Sequence, residues 1–171
     1  ALAKRAKGFD MRIIYYDVYR NEDIEKKLGI QYVEFKELLK ESDFVSIHVP
    51  LTSETYHLFN EEAFKSMKKT AYLINTSRGP VIDERALYKA LTEGWIKGAG
   101  LDVHEEEPTP RDNPLLKLEN IVVAPHLASA SVETRVKMAV MAAENLVSVL
   151  KGKVPPNLVN TDVIKVRPLE R

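Results

Sequence analysis

Apolar residues in this chain fall into short runs separated by stretches with helical spacing, and the two alternate along most of its length. Leu2, Ala6 and Phe9 share one helical face, so residues 1–8 read as the end of a helix with Gly8 near its stop. Arg12 to Tyr16 is a β-branched and aromatic run, a predicted strand ending at Asp17. A short helix follows from Asp23 to Leu28, closed by Gly29, then a brief strand from Ile30 to Val33 and a helix from Phe35 to Lys40. Phe44 to Val49 is a strong apolar strand stopped by Pro50. Asn60 sits where an N-cap belongs, with Glu61 and Glu62 in the first turn of the next helix, and Asp83 caps a helix expected to run to Glu93, with Gly94 after it. Ala71 to Thr76, Ala99 to Val103 and Ile121 to Ala124 are further strands. A long helix is expected from Val132 to Leu150, with Val136, Ala139, Val140, Ala143 and Leu146 or Val147 inward, and Pro155-Pro156 opens an extended tail.

Near-continuous apolar strands separated by helices predict an α/β fold with a parallel sheet and helices on both faces. Ligands of such sheets bind beyond the carboxyl ends of the strands. The polar residues at those ends are Asp17, His48, Thr76 to Gly79, Asp102 to Glu107, and His126.

Composition removes several alternatives. Lys plus Arg and Asp plus Glu number 25 each, so no net charge draws the chain to nucleic acid or an anionic membrane. The absence of cysteine excludes disulfides, thiolate catalysis and cysteine-ligated metals, and fits a cytoplasmic location. No apolar run approaches the ~20 residues of a membrane span. No His, Asp and Glu spacing resembles a metal site, so no metal is expected.

At the strand ends, each chemical reading has a plain alternative. Asp17 could bond the adenosine ribose hydroxyls of a dinucleotide, or simply form a turn. As a ribose ligand it would repel a 2′-phosphate and favour NAD, but nearby Arg20 keeps NADP open. Arg78 offers a planar fork matched to a carboxylate, against the commoner surface ion pair. Gly79 beside it permits close backbone approach. Glu107 and His126 together would form an acid/base pair in which the carboxylate favours the imidazolium. A lone His after a strand is more often structural. His104 is expected to be exposed, His48 to be a satisfied buried residue in preference to one packed near a cofactor, and His57 to lie at the surface, and Ser77 lacks an adjacent base.

The motifs then match a known pattern. Val45 to Thr52 (VSIHVPLT), Ile74 to Gly79 (INTSRG), Gly98 to Val103 (GAGLDV) with Glu105, Glu107 and Pro108, and Pro125-His126 followed by Ser129-Ala130 resemble the D-isomer-specific 2-hydroxy-acid dehydrogenases. That family includes glyoxylate/hydroxypyruvate reductases and phosphoglycerate dehydrogenases. The resemblance covers nearly the whole chain in the right order. It implies a Rossmann-like domain and NAD-dependent reduction of a 2-oxo acid such as glyoxylate, hydroxypyruvate or phosphohydroxypyruvate, in a homodimer. It also implies roles: Arg78 on the substrate carboxylate and carbonyl, His126 passing the proton, and Glu107 pairing with His126 and tuning it. Asp102 would hold the nicotinamide carboxamide, Asp17 the adenosine ribose, and Thr76 with the backbone around Pro50 would line the cofactor. Formate dehydrogenases of the same superfamily lack the acid at the Glu107 position, so Glu107 argues against that reaction.

The family pattern places a strand and a G-x-G-x-x-G turn before the helix that contains Ala1 to Lys7. The expectation is therefore a sheet incomplete at its N-terminal side, with Arg12–Tyr16 cut off from Phe44–Val49. Cofactor pyrophosphate normally rests on that turn and helix start. Losing two or three such charge-assisted bonds would cost about 3–9 kcal/mol. Residues 1–131 are expected to form a partial NAD-binding domain. Residues 132–171 are expected to form a C-terminal helix and tail that in the family packs on the substrate domain. The competing expectation is a truncated, non-catalytic oligomerisation or binding module.

Overall fold

A computed structural model describes residues 1–169. The chain divides into two compact units, Ala1–His126 and a second from Leu127 onward.

The first unit is built as the apolar pattern predicts. Helix α1 (Leu2–Ala6) leads through a 3-10 turn to Asp10, whose φ of 55° ends the helix in the left-handed region, two residues beyond Gly8. Strand β1 (Ile14–Tyr15), helix α2 (Glu22–Leu28), strand β2 (Gln31–Tyr32) and helix α3 (Phe35–Glu41) follow. Strand β3 (Phe44–Ile47), helix α4 (Glu61–Ser66), strand β4 (Tyr72–Asn75), helix α5 (Glu84–Thr92), strand β5 (Gly98–Leu101) and strand β6 (Ile121–Val123) complete it. The caps act as expected. The Asn60 side chain accepts from the Ala63 amide, and Asp83 accepts from Arg85 and Ala86.

All strand pairs are parallel, as an α/β fold of Rossmann type requires. They form two sheets, one of β1 and β2 and one in the order β3-β4-β5-β6. β1 is thus not hydrogen-bonded to β3, in line with the expected break. β1 and β2 are two residues each and pair with one another. Aromatic contacts join the small sheet to the larger core. Tyr16 packs on Phe35 at 5.6 Å, and Phe35 meets Phe59 edge-on at 5.6 Å.

Burial alternates along the large sheet. Val45, Ile47, Leu73, Ala99 and Leu101 face a core shared with Leu39 of α3, Phe64 of α4 and Leu87 of α5. The opposite face carries Phe44 and Val122, which are exposed. Helices α3, α4 and α5 pack side by side on the first face; the expected cover of both faces is not found on the large sheet of this unit, whose other face is exposed at Phe44 and Val122, and this explains the alternation.

The second unit holds helix α6 (Val132–Leu150), with Ser131 as its cap accepting from the Thr134 amide. α6 buries no residue: Val136, Val140, Leu146 and Val147, expected to face inward, are exposed. The tail beyond Pro155-Pro156 is not simply extended. It turns at Pro156-Asn157 and forms helix α7 (Val163–Val166), which lies beyond the residues that the two prolines constrain. Among the described residues no helix is long and apolar enough to cross a membrane.

Phe64 is fully buried at the meeting point of α4 and the sheet. Replacing it with alanine should cost about 3–5 kcal/mol in urea unfolding, and a loss under about 1 kcal/mol would contradict this core.

Candidate active site

The register of the large sheet sets the site. Ile47 pairs with Asn75, Asn75 with Leu101 and Leu101 with Val123, so four strands end in one row. The residues just past that row are His48, Thr76, Asp102 and Ala124, with Arg78 and His126 two residues further on. Of the seven predicted site residues, this edge gathers Pro50, Thr76, Arg78, Asp102, Glu107 and His126. Asp17 lies apart from it in sequence and sheet, exposed beyond the end of β1.

Each side chain has a local reason for its place. Buried Asn75 clamps the turn after β4: its Oδ1 accepts from the Ser77 amide at 3.0 Å and hydroxyl at 2.9 Å, and its Nδ2 donates to the Arg78 carbonyl at 3.0 Å. This holds the backbone that presents Arg78. The Arg78 guanidinium is exposed and meets only the Ser77 carbonyl among the contacts of the described residues, leaving most of its donors toward solvent. An open cleft of about 570 Å³ is lined by His48, Val49, Pro50, Leu51, Thr76, Ser77 and Arg78.

Gly79 explains itself by proximity. A Cβ there would lie 1.8 Å from the His104 carbonyl oxygen, so only glycine lets the turn after β4 touch the segment after β5. Asp102 is buried beyond β5; its amide donates to the Asn75 carbonyl and its carbonyl accepts from the His126 amide at 2.8 Å. That last bond helps hold His126 at a φ of 57°, a strained conformation that clusters at functional sites.

His126 Nδ1 lies 2.8 Å from Glu107 Oε2. Glu107 Oε1 accepts from the His104 amide at 3.0 Å. The His126 hydrogen bond, followed by the His104 amide bond, holds the Glu107 carboxyl below the usual range. As a carboxylate it only accepts, so Nδ1 carries the proton and Nε2 is left for a ligand.

Three histidines differ from expectation. His104 is buried, not exposed, because its Nδ1 reaches Glu84 Oε1 at 3.2 Å. His48 is exposed rather than buried; its Nε2 meets Ser46 Oγ at 2.9 Å on the cleft wall. His57 is no plain surface residue, since its Nε2 pairs with Glu105. Sequence reasoning missed Glu84 and Asn75 as supports of the site. Asn75 carried a signal, a polar residue at the buried end of a strand; Glu84 looked like any first-turn acid.

On the far side, Asp17 Oδ1 accepts from the Tyr19 amide at 3.1 Å, the turn-forming arrangement. Arg20 binds Glu25 through two bonds, at 2.9 and 3.0 Å, which raises the arginine and lowers the Glu25 carboxyl.

The profile of the D-isomer specific 2-hydroxyacid dehydrogenase NAD binding domain matches residues 1–128. The chain belongs to the D-isomer specific 2-hydroxyacid dehydrogenases. Glyoxylate reductase of Korarchaeum cryptofilum is 66% identical over 168 residues, which is 98% of this chain and 51% of that protein. Glyoxylate reductase of Thermofilum pendens is 59% identical over 172 residues, 100% of this chain and 51% of that protein. The chain spans about half the length of these curated relatives. Among solved structures, a glyoxylate reductase from Paecilomyes thermophila superposes with a TM-score of 0.84 at 34% identity, covering 93% of this chain and 48% of that one. Aquifex aeolicus D-lactate dehydrogenase, solved with NAD and lactic acid, gives 0.81 at 36% identity, over 88% of this chain and 50% of that one. The 2-hydroxyacid dehydrogenase family thus accounts for the parallel sheet and for the placement of the polar strand ends.

The low Glu107 carboxyl has a sign that can be checked. A depressed folded-state value stabilises the fold above the unfolded value, near 4.5, and that contribution is lost as pH falls through the folded value. A carboxyl ¹³C titration should place Glu107 below 4.5, and His126→Gln should raise it. An unmoved titration in that variant would contradict the pairing.

Proposed function

We propose that this chain carries the cofactor-binding and catalytic part of an NAD-dependent oxidoreductase that reduces a 2-oxo acid to a D-2-hydroxy acid, with glyoxylate the favoured substrate. Hydroxypyruvate and phosphohydroxypyruvate are the other substrates in view. The observation that carries this reading is the Glu107–His126 pair on the same sheet edge as the uncommitted Arg78 fork.

The cleft fits a dinucleotide at its nicotinamide end. It lies at strand carboxyl ends, with apolar Val49, Pro50 and Leu51 on one wall and polar Thr76 and Ser77 on the other. Pro50 and Thr76 would line the ring, Asp102 would hold its carboxamide, and Asp17 would take the adenosine ribose. When bound, the reduced cofactor supplies the hydride. Arg78 binds the substrate carboxylate through its planar fork and turns the carbonyl toward His126. Protonated His126 gives its Nε2 proton to the carbonyl oxygen as the hydride reaches the carbon, and accepts it back in the reverse direction. Glu107 stays ionised beside the imidazolium and fixes its orientation. Arg20 is engaged by Glu25 rather than turned to a 2′-phosphate, which supports NAD over NADP. A homodimer and a cytoplasmic location belong to the same proposal, supported by the family resemblance and the cysteine-free composition.

In the intact polypeptide carrying these residues, NADH oxidation should proceed with glyoxylate. His126→Gln should lower kcat by about a hundredfold to ten-thousandfold while NADH binding stays within about twofold. Near-normal turnover in that variant would refute the acid/base role, and tight NADH binding without any turnover would favour a non-catalytic module.

A further inference from the structure

Largely covered Glu84 and buried His104 form a pair that the proposed chemistry does not use. The side chains are 13% and 3% exposed. Glu84 is the first residue of α5, but it does not cap its own helix; Asp83 does that. Both Glu84 oxygens turn outward to the segment after β5. Oε1 accepts from His104 Nδ1 at 3.2 Å and from the Glu105 amide at 3.0 Å. Oε2 accepts from Asn113 Nδ2 at 2.9 Å. The carboxylate therefore grips both ends of the stretch that carries Glu107.

The grip continues toward the proposed acid. The His104 amide donates to Glu107 Oε1, and Glu107 Oε2 faces His126 Nδ1. Glu84, His104, Glu107 and His126 thus follow one another from a rigid helix to an exposed sheet edge. Two further contacts press the same stretch into place: His57 pairs with Glu105, and the His104 carbonyl lies against Gly79. Asn113 is itself fixed, since its Oδ1 caps the 3-10 turn Pro114–Lys117 through the Leu115 amide. Glu107, by contrast, is 37% exposed and would sample several rotamers without such anchoring. A largely covered carboxylate is costly unless its oxygens are satisfied, and here all three recorded donors come from the loop.

We propose that Glu84 is a positioning residue for the reaction: by anchoring residues 104, 105 and 113 it holds Glu107 so that Oε2 meets His126 Nδ1. This rests on the assignment of His126 and Glu107 as the acid and its partner. Glu84 touches neither substrate nor cofactor, and its effect is on orientation.

The test is carried out on the intact polypeptide carrying these residues, with ¹⁵N-labelled histidine at a pH where His126 is neutral. The side-chain ¹⁵N shifts of the wild type should show His126 protonated at Nδ1. Glu84→Ala should shift them toward the mixture of tautomers of an unconstrained imidazole. It should also lower kcat by on the order of tenfold to a hundredfold with KM for the 2-oxo acid within about twofold, because Arg78 is untouched. Glu84→Gln keeps an acceptor oxygen for His104 and Glu105 and should recover most of both. A folded Glu84→Ala protein with the wild-type His126 signature and kcat would overturn the proposal. Should that variant not fold, Glu84→Asp withdraws the carboxylate by one methylene and must move both readouts in the same direction; wild-type values there would equally overturn it. Glu107→Ala separates the two levels. If it leaves the His126 signature unchanged, the pairing itself is wrong; if it changes the signature and Glu84→Ala does not, only the role of Glu84 is wrong.

Discussion

The site depends on a place where no side chain fits. The turn after β4 and the segment after β5 touch at Gly79, where an added Cβ would fall within 2 Å of the His104 carbonyl, at 1.8 Å. Arg78 is on one side of that contact, and Glu107 is three residues beyond His104 on the other. Two segments 25 residues apart in the chain, Gly79 and His104, are thereby joined with little freedom to slide. A substrate that must be held by its carboxylate and protonated at its carbonyl needs those two functions at a fixed separation.

Around that contact the sheet supplies order and the side chains supply charge. The parallel register ends four strands in one row, so their following residues share an edge without long connections. Asn75 turns the chain after β4, and the Asp102 carbonyl holds the His126 amide in a left-handed conformation. Such strain, of order 1–3 kcal/mol, persists only where surrounding bonds over-determine it. Glu107 receives a hydrogen bond on each oxygen, which keeps it ionised and aimed.

Much of this was legible in the chain. Strand runs such as Phe44 to Val49, the caps Asn60 and Asp83, and the long helix Val132 to Leu150 follow from periodicity and capping, which are local. Arg78, Glu107 and His126 stood out because strand ends collect ligands in parallel sheets. His104 and His57 were misjudged because their environments are set by residues distant in sequence, Glu84 for His104 and Glu105 for His57, whereas His48 meets only its near neighbour Ser46 on an open cleft wall. No local pattern announces such partners. The same holds for Glu84, whose partners His104, Glu105 and Asn113 lie 20 to 29 residues away, whereas Asn75 acts on its near neighbours Ser77 and Arg78. Strand lengths were overestimated, from Arg12 to Tyr16 shortened to Ile14–Tyr15 and from Ala71 to Thr76 shortened to Tyr72–Asn75, since apolar character reports burial rather than pairing.

The central claim is that the backbone contact at Gly79 couples the Arg78 turn to the Glu107–His126 pair. An ¹H–¹⁵N correlation spectrum of Gly79→Ala tests it directly. The amide signals of residues 104–107 and of His126 should move along with those of Arg78, residue 79 and Val81. Changes confined to Arg78, residue 79 and Val81, with the His104 to Glu107 and His126 signals at their wild-type positions, would contradict it.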